Sequence, residues 1–262
     1  MKENIMFLEE WIDYHLNLGY DKIYLYDNSK VKKKSDYDMN NPKLIPSKIN
    51  KYGISYDTIV KLTNEDILEI IEHIKNKYVD RVYIIEWSPI DENGLVCYNQ
   101  VEAYYDGLER LKEDHIDWCT IIDIDEFVII NNGKNENIKE YINKLDENIT
   151  NIQMSQIRFD TRFNHLDKLI LMIDKSELHE LDKHHSPKYS FKVESVYKLH
   201  VHKCETRGKF FHPDINELCF NHYKIDFSFP WNKYKITESN INDNILKIIQ
   251  NNSKYYFINK FK

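Results

Sequence analysis

Residues 118–130 read Trp-Cys-Thr-Ile-Ile-Asp-Ile-Asp-Glu-Phe-Val-Ile-Ile, and this stretch decides how the rest of the chain is interpreted. The run from Trp118 to Ile122 predicts a buried strand, because it is short and rich in apolar and β-branched residues. Two carboxylates, Asp123 and Asp125, follow at once, and four apolar residues at 127–130 come after them. Charged side chains between two apolar segments are costly unless a ligand or counter-ion compensates them. The stretch therefore predicts a functional site at the end of a strand.

Helices and strands alternate on the N-terminal side of this stretch. Apolar residues at helical spacing predict helices over 5–18, 64–78 and 100–112, and short runs of β-branched and aromatic residues predict strands over 22–26 and 81–87. Such alternation favours a mostly parallel sheet flanked by helices, in which ligands bind beyond the carboxyl ends of the strands. The turn after Ile122 is therefore expected to face a ligand.

The pattern on the C-terminal side is looser and favours a more mixed, antiparallel arrangement. It predicts a helix over 138–145, strands over 152–159, 189–193 and 196–202, and a final helix over 241–250. The Lys- and Asn-rich segment 30–52 has no periodicity and is interpreted as a long surface loop. No repeat or low-complexity linker divides the chain, so a single α/β domain over residues 1–262 is expected.

The composition limits the kinds of partner. The 262 residues carry 36 basic and 43 acidic side chains, for a net charge of −7, so no overall positive field attracts a nucleic acid. A small anion such as a nucleotide diphosphate can still bind if a metal ion supplies positive charge. No signal peptide is evident, and no segment approaches the roughly 18 uninterrupted apolar residues of a membrane span. The expectation is a soluble, cytoplasmic protein without a transmembrane segment.

The Asp-x-Asp pair predicts a cation site. In an extended chain, Asp123 and Asp125 point to the same face, and Mg²⁺ or Mn²⁺ prefers such oxygen ligands and can bridge to phosphate. The motif is weak by itself, since a chain of this composition contains about two such pairs by chance. The other pair, Asp36 and Asp38, has no strand before it and is interpreted as solvated charge. An EF-hand is excluded, because the required Gly and further oxygen ligands are absent.

Other residues form an ordered set around this pair. They are Phe-Leu-Glu-Glu-Trp-Ile-Asp-Tyr-His at 7–15, Gly19, Tyr-Leu-Tyr-Asp-Asn-Ser at 24–29, Gln100, Trp118, Asp-Ile-Asp-Glu-Phe at 123–127, and Asn-His-Tyr at 221–223. The set resembles glycosyltransferase family 92 and the DUF23-like group. As an ordered set it is far more specific than any single member.

The resemblance implies an enzyme with a GT-A fold. It implies a nucleotide-sugar donor, a UDP-sugar, a divalent cofactor, Mn²⁺ or Mg²⁺, and transfer of a hexose with inversion to a glycan, lipid or protein hydroxyl. Residues 1–130 would then form the nucleotide-sugar and metal-binding half, and residues 131–262 the acceptor side.

The resemblance also implies roles for individual residues. Asp123, Asp125 and His222 are the implied metal ligands. The residues implied to contact the nucleotide-sugar donor are Asp27, Ser29, Asp123 and Glu126.

Two features depart from the family pattern. The family has a strand and Lys-Asn-Glu ahead of the first helix, whereas this sequence starts Met-Lys-Glu-Asn at residues 1–4, so we expect the first strand to be missing. Residues 160–164 read Asp-Thr-Arg-Phe-Asn, where the family has an aromatic residue and Phe-Gly. Two alternatives therefore stay open: a non-catalytic nucleotide-binding relative and a metal-dependent phosphohydrolase.

The catalytic base is the least defined part of the site. An inverting transfer needs a base near the acceptor hydroxyl, and Asp160, Asp214 and Glu217 are candidates downstream of the metal motif. The histidines at 184, 185, 200 and 202 are interpreted as surface or structural residues.

Overall fold

A computed structural model describes residues 5, 8–28, 64–94, 96–130, 137–161, 176–178 and 186–224. The predicted loop over 30–52 and the predicted helix over 241–250 lie outside these residues. The elements below are numbered in chain order.

The elements that lead to the acidic pair are close to those predicted. They are α1 Leu8–Leu18, β1 Ile23–Asp27, α2 Asn64–Lys77, β2 Val82–Glu86, α3 Gln100–Glu113 and β3 Trp118–Ile121. Their ends differ by a few residues at most from the sequence prediction, because each has a clear helical or strand periodicity.

The elements that follow include five strands that the sequence analysis did not predict. The order is β4 Glu126–Ile130, α4 Ile138–Asn143, β5 Ile149–Thr161, β6 Ser176–Leu178, β7 Lys188–Lys192, β8 Val196–His200, β9 Lys203–Thr206, β10 Lys209–Phe211 and β11 Leu218–Lys224. The unpredicted strands are β4, β6, β9, β10 and β11.

The main sheet has the order β3-β7-β5-β11-β4, with β6 and β10 also paired to β5. Strand β11 runs parallel to β5 and antiparallel to β4, while β7 is antiparallel to both β3 and β5. Strands β1 and β2 form a separate parallel pair. The α/β architecture is confirmed, but the prediction of a mostly parallel sheet is not, since most described strand pairs are antiparallel.

Two apolar clusters form the core. The larger one joins α1 and α2 to strands β1, β4, β5 and β11. The smaller one packs Leu108 and Leu111 of α3 against Phe191 of β7 and Leu199 of β8. Burial of these side chains is the main source of stability, at roughly 25 cal/mol per Å² of apolar surface. The acidic segment therefore connects two strands, β3 and β4, that both contact the apolar core.

Helix α1 closes the outer edge of β4. No described strand pairs with this edge, so its outward backbone groups need other partners. The Trp11 indole N–H donates to the carbonyl of Glu126 at 2.7 Å, and the Tyr14 hydroxyl donates to that of Val128 at 2.7 Å. The Val128 N–H donates to Nε2 of His15 at 3.4 Å. Side chains of a helix thus replace the neighbouring strand that this edge lacks.

The spacing of residues along α1 explains why three of its side chains reach the edge of β4. Positions 11, 14 and 15 lie on one helical face, because residues three and four apart are neighbours there. The His15 Nδ1–H donates to the carbonyl of Trp11 at 2.8 Å, which leaves Nε2 as the acceptor for Val128. Burial lowers the pKa of His15 to about 3, so the ring is neutral. This neutral tautomer is the form that β4 requires.

We predict that Tyr14→Phe weakens the fold. The substitution leaves the buried carbonyl of Val128 without its donor, which costs about 1–3 kcal/mol of unfolding free energy. Urea denaturation at neutral pH measures the change. The control is Tyr83→Phe, because the Tyr83 hydroxyl donates to the nearby carbonyl of Asp80 near the surface. Equal effects of the two substitutions would show that α1 does not stabilise β4 in this way.

The neutral His15 predicts an acid-labile fold. Since its folded pKa lies below the unfolded value of 6.5, the unfolded chain binds the extra proton between these values. His15 therefore stabilises fully above pH 6.5, and this contribution falls by up to about 1.4 kcal/mol per pH unit as the pH drops towards 3. His15→Gln should flatten the dependence of unfolding free energy on pH between 4 and 6.5. The exposed His200→Gln variant is the control, and a slope equal to that of the wild type in His15→Gln would contradict the assignment.

Candidate active site

The link between β3 and β4 is a tight acidic turn, defined here as residues Asp123 to Glu126. The Glu126 N–H donates to the Asp123 carbonyl at 3.0 Å, and the Asp123 N–H donates to Oε2 of Glu126 at 2.8 Å. The sequence analysis placed Asp123 and Asp125 in extended chain with both carboxylates on one face. That geometry is wrong, because these two hydrogen bonds close the chain into a turn and the two aspartates have different partners.

Asp125 is paired with a histidine of the neighbouring strand. The register of β4 and β11 sets Glu126 opposite His222, and Nε2 of His222 lies 3.4 Å from Oδ2 of Asp125. Both side chains are largely buried. Burial opposes charge on each, but their mutual attraction outweighs it, so the pKa of Asp125 is lowered and that of His222 is raised. The structure thus brings together two of the three metal ligands implied by the sequence.

Asp123 is paired with a lysine that the sequence analysis missed. Lys188, the first residue of β7, places Nζ 2.7 Å from Oδ2 of Asp123 and 3.1 Å from Oε2 of Glu126. Its side chain is only 2% exposed, while that of Asp123 is 49% exposed. A buried ammonium group is tolerated only with such close partners. Lysine at the start of an apolar strand is ordinarily a surface residue, so the sequence carried no signal for it.

Glu126 lies at the back of the turn. Its side chain is 2% exposed, and one oxygen accepts from the Asp123 N–H and contacts Lys188. Burial, together with the charge of Asp123, raises the pKa of this carboxyl to about 7. The sequence analysis assigned Glu126 to the donor; the structure places it beneath the turn as a partner of Lys188.

Two other elements lie close to the acidic turn. At the start of α3, the Gln100 amide donates to the Tyr104 hydroxyl at 2.7 Å. Burial and the charge of Asp123 raise the pKa of Tyr104 to about 12, so this hydroxyl stays protonated. Between β8 and β9, the carbonyl of His202 accepts from the Tyr189 hydroxyl at 3.1 Å. Burial and the positive charge of Lys188 lower the pKa of His202, so this histidine lies nearer the site than the sequence indicated.

The structure describes one of the two residues at the end of β1 that the resemblance implies for binding the nucleotide sugar. Asp27 is the last residue of β1, and its carbonyl accepts from the N–H of Trp87, which follows β2. The two parallel strands therefore end together. Ser29 lies outside the described residues.

Two of the three candidate bases lie at the wrong end of β11. Asp214 is exposed, and its carboxylate accepts from the backbone and side-chain amides of Asn216 in the turn before the strand. Glu217 accepts from the Tyr141 hydroxyl at 2.9 Å. Since an extended chain advances about 3.3 Å per residue, even Glu217 is roughly 15 Å from His222 along the strand. The structure does not bring these two residues to the acidic turn.

Asp160 lies at the other end. It stands near the end of β5, opposite Lys224 of β11 and Glu177 of β6 in the strand register. The same register sets Arg158 opposite His222. Asp160 is therefore two register positions beyond His222, and it stays a candidate base.

The acidic turn and His222 offer few ligands for a divalent cation. No cluster of three or more His, Cys, Asp or Glu side chains in the described ranges has the geometry to hold a metal ion. Asp125 and His222 nevertheless offer one oxygen and one nitrogen donor side by side. Mg²⁺ and Mn²⁺ sites that also bind phosphate commonly use few protein ligands and complete the shell with phosphate oxygens and water. Asp125 and His222 fit such a cation, whereas Asp123 and Glu126 are engaged by Lys188.

Within the part of the chain that the structure describes, no helix combines the length and apolar character needed to cross a bilayer.

Comparison with known proteins identifies the family. No curated protein matches the chain. The model of glycosyltransferase family 92 matches residues 56–255, about three quarters of the sequence. This match contains the acidic turn, Lys188 and His222, while α1 and Asp27 precede it. The chain therefore belongs to glycosyltransferase family 92.

Proposed function

We propose that the chain transfers a hexose from a UDP-sugar to a hydroxyl of a glycan, lipid or protein, with inversion and with Mn²⁺ or Mg²⁺ as cofactor. Membership of a glycosyltransferase family supports the reaction class. The observation that carries the metal-dependent form is the approach of Asp125 to His222, at 3.4 Å, in a turn with two further carboxylates. We also propose a GT-A-like arrangement, in which the ends of β1 and β2 border the nucleotide.

The residues of the acidic turn and their neighbours would have different roles in binding the nucleotide sugar. Asp125 and His222 would hold the cation, which supplies positive charge to the departing diphosphate. Asp123, whose carboxylate is half exposed and held by Lys188, would accept hydrogen bonds from donor hydroxyl groups. The Tyr104 hydroxyl, which accepts from Gln100, has a proton to donate beside the same carboxylate.

Inversion requires a base on the acceptor side. The base takes the proton of the acceptor hydroxyl as its oxygen attacks the anomeric carbon from the face opposite the diphosphate. Asp160 is the candidate we retain, because the strand register places it beyond His222 on the same end of the sheet. Asp214 and Glu217 lie before the start of β11, at the opposite end.

The two alternative functions make different demands. A metal-dependent phosphohydrolase needs a further carboxylate to activate water, and Glu126 is engaged by Lys188 and the Asp123 N–H. A non-catalytic relative would bind nucleotide without turnover. Release of UDP from UDP-sugars distinguishes them: acceptor-dependent release supports transfer, release without acceptor supports hydrolysis, and bound but unreacted donor supports the non-catalytic relative.

We predict that UDP binding depends on Mn²⁺ through Asp125 and His222. Calorimetric titration of UDP with Mn²⁺ should give an affinity for Asp125→Asn and His222→Gln that is lower than the wild type by roughly tenfold or more, or about 1.4 kcal/mol. The loss is expected because each substitution removes one of two protein ligands. Without Mn²⁺, all three proteins should bind UDP weakly and alike.

The second Asp-x-Asp pair offers a matched control. Asp38→Asn changes the same residue type in the same motif and should bind UDP and Mn²⁺ like the wild type. Wild-type binding that is indifferent to Mn²⁺, or an Asp125→Asn variant that binds normally, would refute the assignment.

A further inference from the structure

Lys188 is a buried positive charge inside the candidate site. Its Nζ lies 2.7 Å from Asp123 and 3.1 Å from Glu126, and its side chain is 2% exposed. Strand β7, which carries it, is held on both sides by β3 and β5. The ammonium group is thus fixed by the sheet below the acidic turn, and it is not a mobile surface charge.

The contacts divide the three carboxylates into two groups. Asp123 and Glu126 share Lys188, while Asp125 lies beside Nε2 of His222; Oε1 of Glu126 also lies 3.7 Å from Nδ1 of His222, on the other side of the ring. The single positive charge of Lys188 therefore offsets one of the two negative charges that it contacts. An incoming cation meets one carboxylate and one imidazole, and it is repelled by the ammonium group.

Such a donor set leaves most of a cation's coordination shell to other ligands. A divalent ion with two protein ligands binds weakly, and the oxygens of a diphosphate can supply the missing ligands. Attraction between the cation and the diphosphate adds to the binding of both. The affinity for the metal alone then depends on how much of the turn's negative charge is compensated.

We propose that Lys188 is a positioning residue that keeps Asp123 and Glu126 from ligating the cation, so that metal binds tightly only together with the donor diphosphate. This inference rests on the proposed function. Lys188 would make tight binding of the metal depend on binding of the nucleotide. The buried ion pair would then do more than stabilise the fold. A lysine that only stabilised the fold would not change the coupling between metal and nucleotide.

The test is the affinity for Mn²⁺ without nucleotide, measured from the electron paramagnetic resonance signal of free Mn²⁺. A positive charge about 6 Å from a divalent ion in water lowers the affinity by about tenfold. Lys188→Met should therefore bind Mn²⁺ alone about tenfold more tightly than the wild type. When UDP is bound, diphosphate oxygens already fill much of the coordination shell, so the freed carboxylates add less there and the gain in Mn²⁺ affinity on adding UDP should fall.

Lys192→Met is the matched control. Lys192 belongs to the same strand and donates to the carbonyl of Glu147, away from the turn. It should leave both affinities unchanged. If Lys188→Met does not fold, as judged by circular dichroism, the Lys188→Met/Glu126→Gln double variant replaces it, because it removes the buried charges of both partners. Asp123 is then the freed carboxylate, and Mn²⁺ alone should again bind more tightly than in the wild type.

The experiment distinguishes failure of this inference from failure of the proposed function. If the wild type binds Mn²⁺ with UDP and the Lys188 variants bind Mn²⁺ alone no more tightly, the inference is overturned and the proposed function stands. If Lys188→Met loses UDP binding in the absence of metal, Lys188 contacts the diphosphate itself, which also overturns the inference. If the wild type binds no Mn²⁺ even with UDP, the proposed function fails and the inference fails with it.

Discussion

The hydrogen bonds between α1 and the edge of β4 are the constraint on which the rest of the site depends. A strand at the end of a sheet leaves alternate N–H and C=O groups without partners, and burying them unpaired is costly. Trp11, Tyr14 and His15 supply side-chain partners at Glu126 and Val128. Fixing β4 fixes its register with β11, and that register brings His222 to Asp125.

Electrostatic compensation is the second requirement. Three carboxylates within four residues would repel one another in a partly buried turn. Two positive partners reduce this repulsion: Lys188 lies between Asp123 and Glu126, and His222 lies between Asp125 and Glu126. Under the proposed function, Asp125 and His222 would be left for a cation that arrives with a phosphate ligand. The same contacts that make the turn stable therefore also determine what it can bind.

The sequence predicted the elements whose periodicity is strong. Helices α1, α2 and α3 and strands β1 to β3 were found within a few residues, since apolar spacing dictates them. Strand β11 was missed because Leu-Cys-Phe-Asn-His-Tyr-Lys mixes apolar and polar residues without clear alternation. The sheet is more antiparallel than the alternation of helices and strands on the N-terminal side suggested, because β7 runs antiparallel to both of its neighbours and β4 runs antiparallel to β11.

The candidate site was predictable in its residues more than in its geometry. The acidic motif was identified from its position after a predicted strand, and His222 from the resemblance. The extended conformation assumed for the two aspartates was wrong, because hydrogen bonds close Asp123 to Glu126 into a turn. The contact of Lys188 with the acidic turn could not be inferred, because it depends on the order of strands in the sheet. The sequence around a lysine does not show whether its side chain is buried. Such long-range pairings are a property of the folded chain.

The central claim is that Asp125 and His222 hold a divalent cation that also binds the donor diphosphate. Pulsed electron paramagnetic resonance of Mn²⁺ bound to the protein with UDP tests it most directly, because it detects nuclei in contact with the metal. The account predicts a ¹⁴N coupling from an imidazole and a ³¹P coupling from the diphosphate in one complex, with only the ¹⁴N coupling lost in His222→Gln. A ³¹P coupling without any protein nitrogen, or a ¹⁴N coupling that survives in His222→Gln, would contradict it.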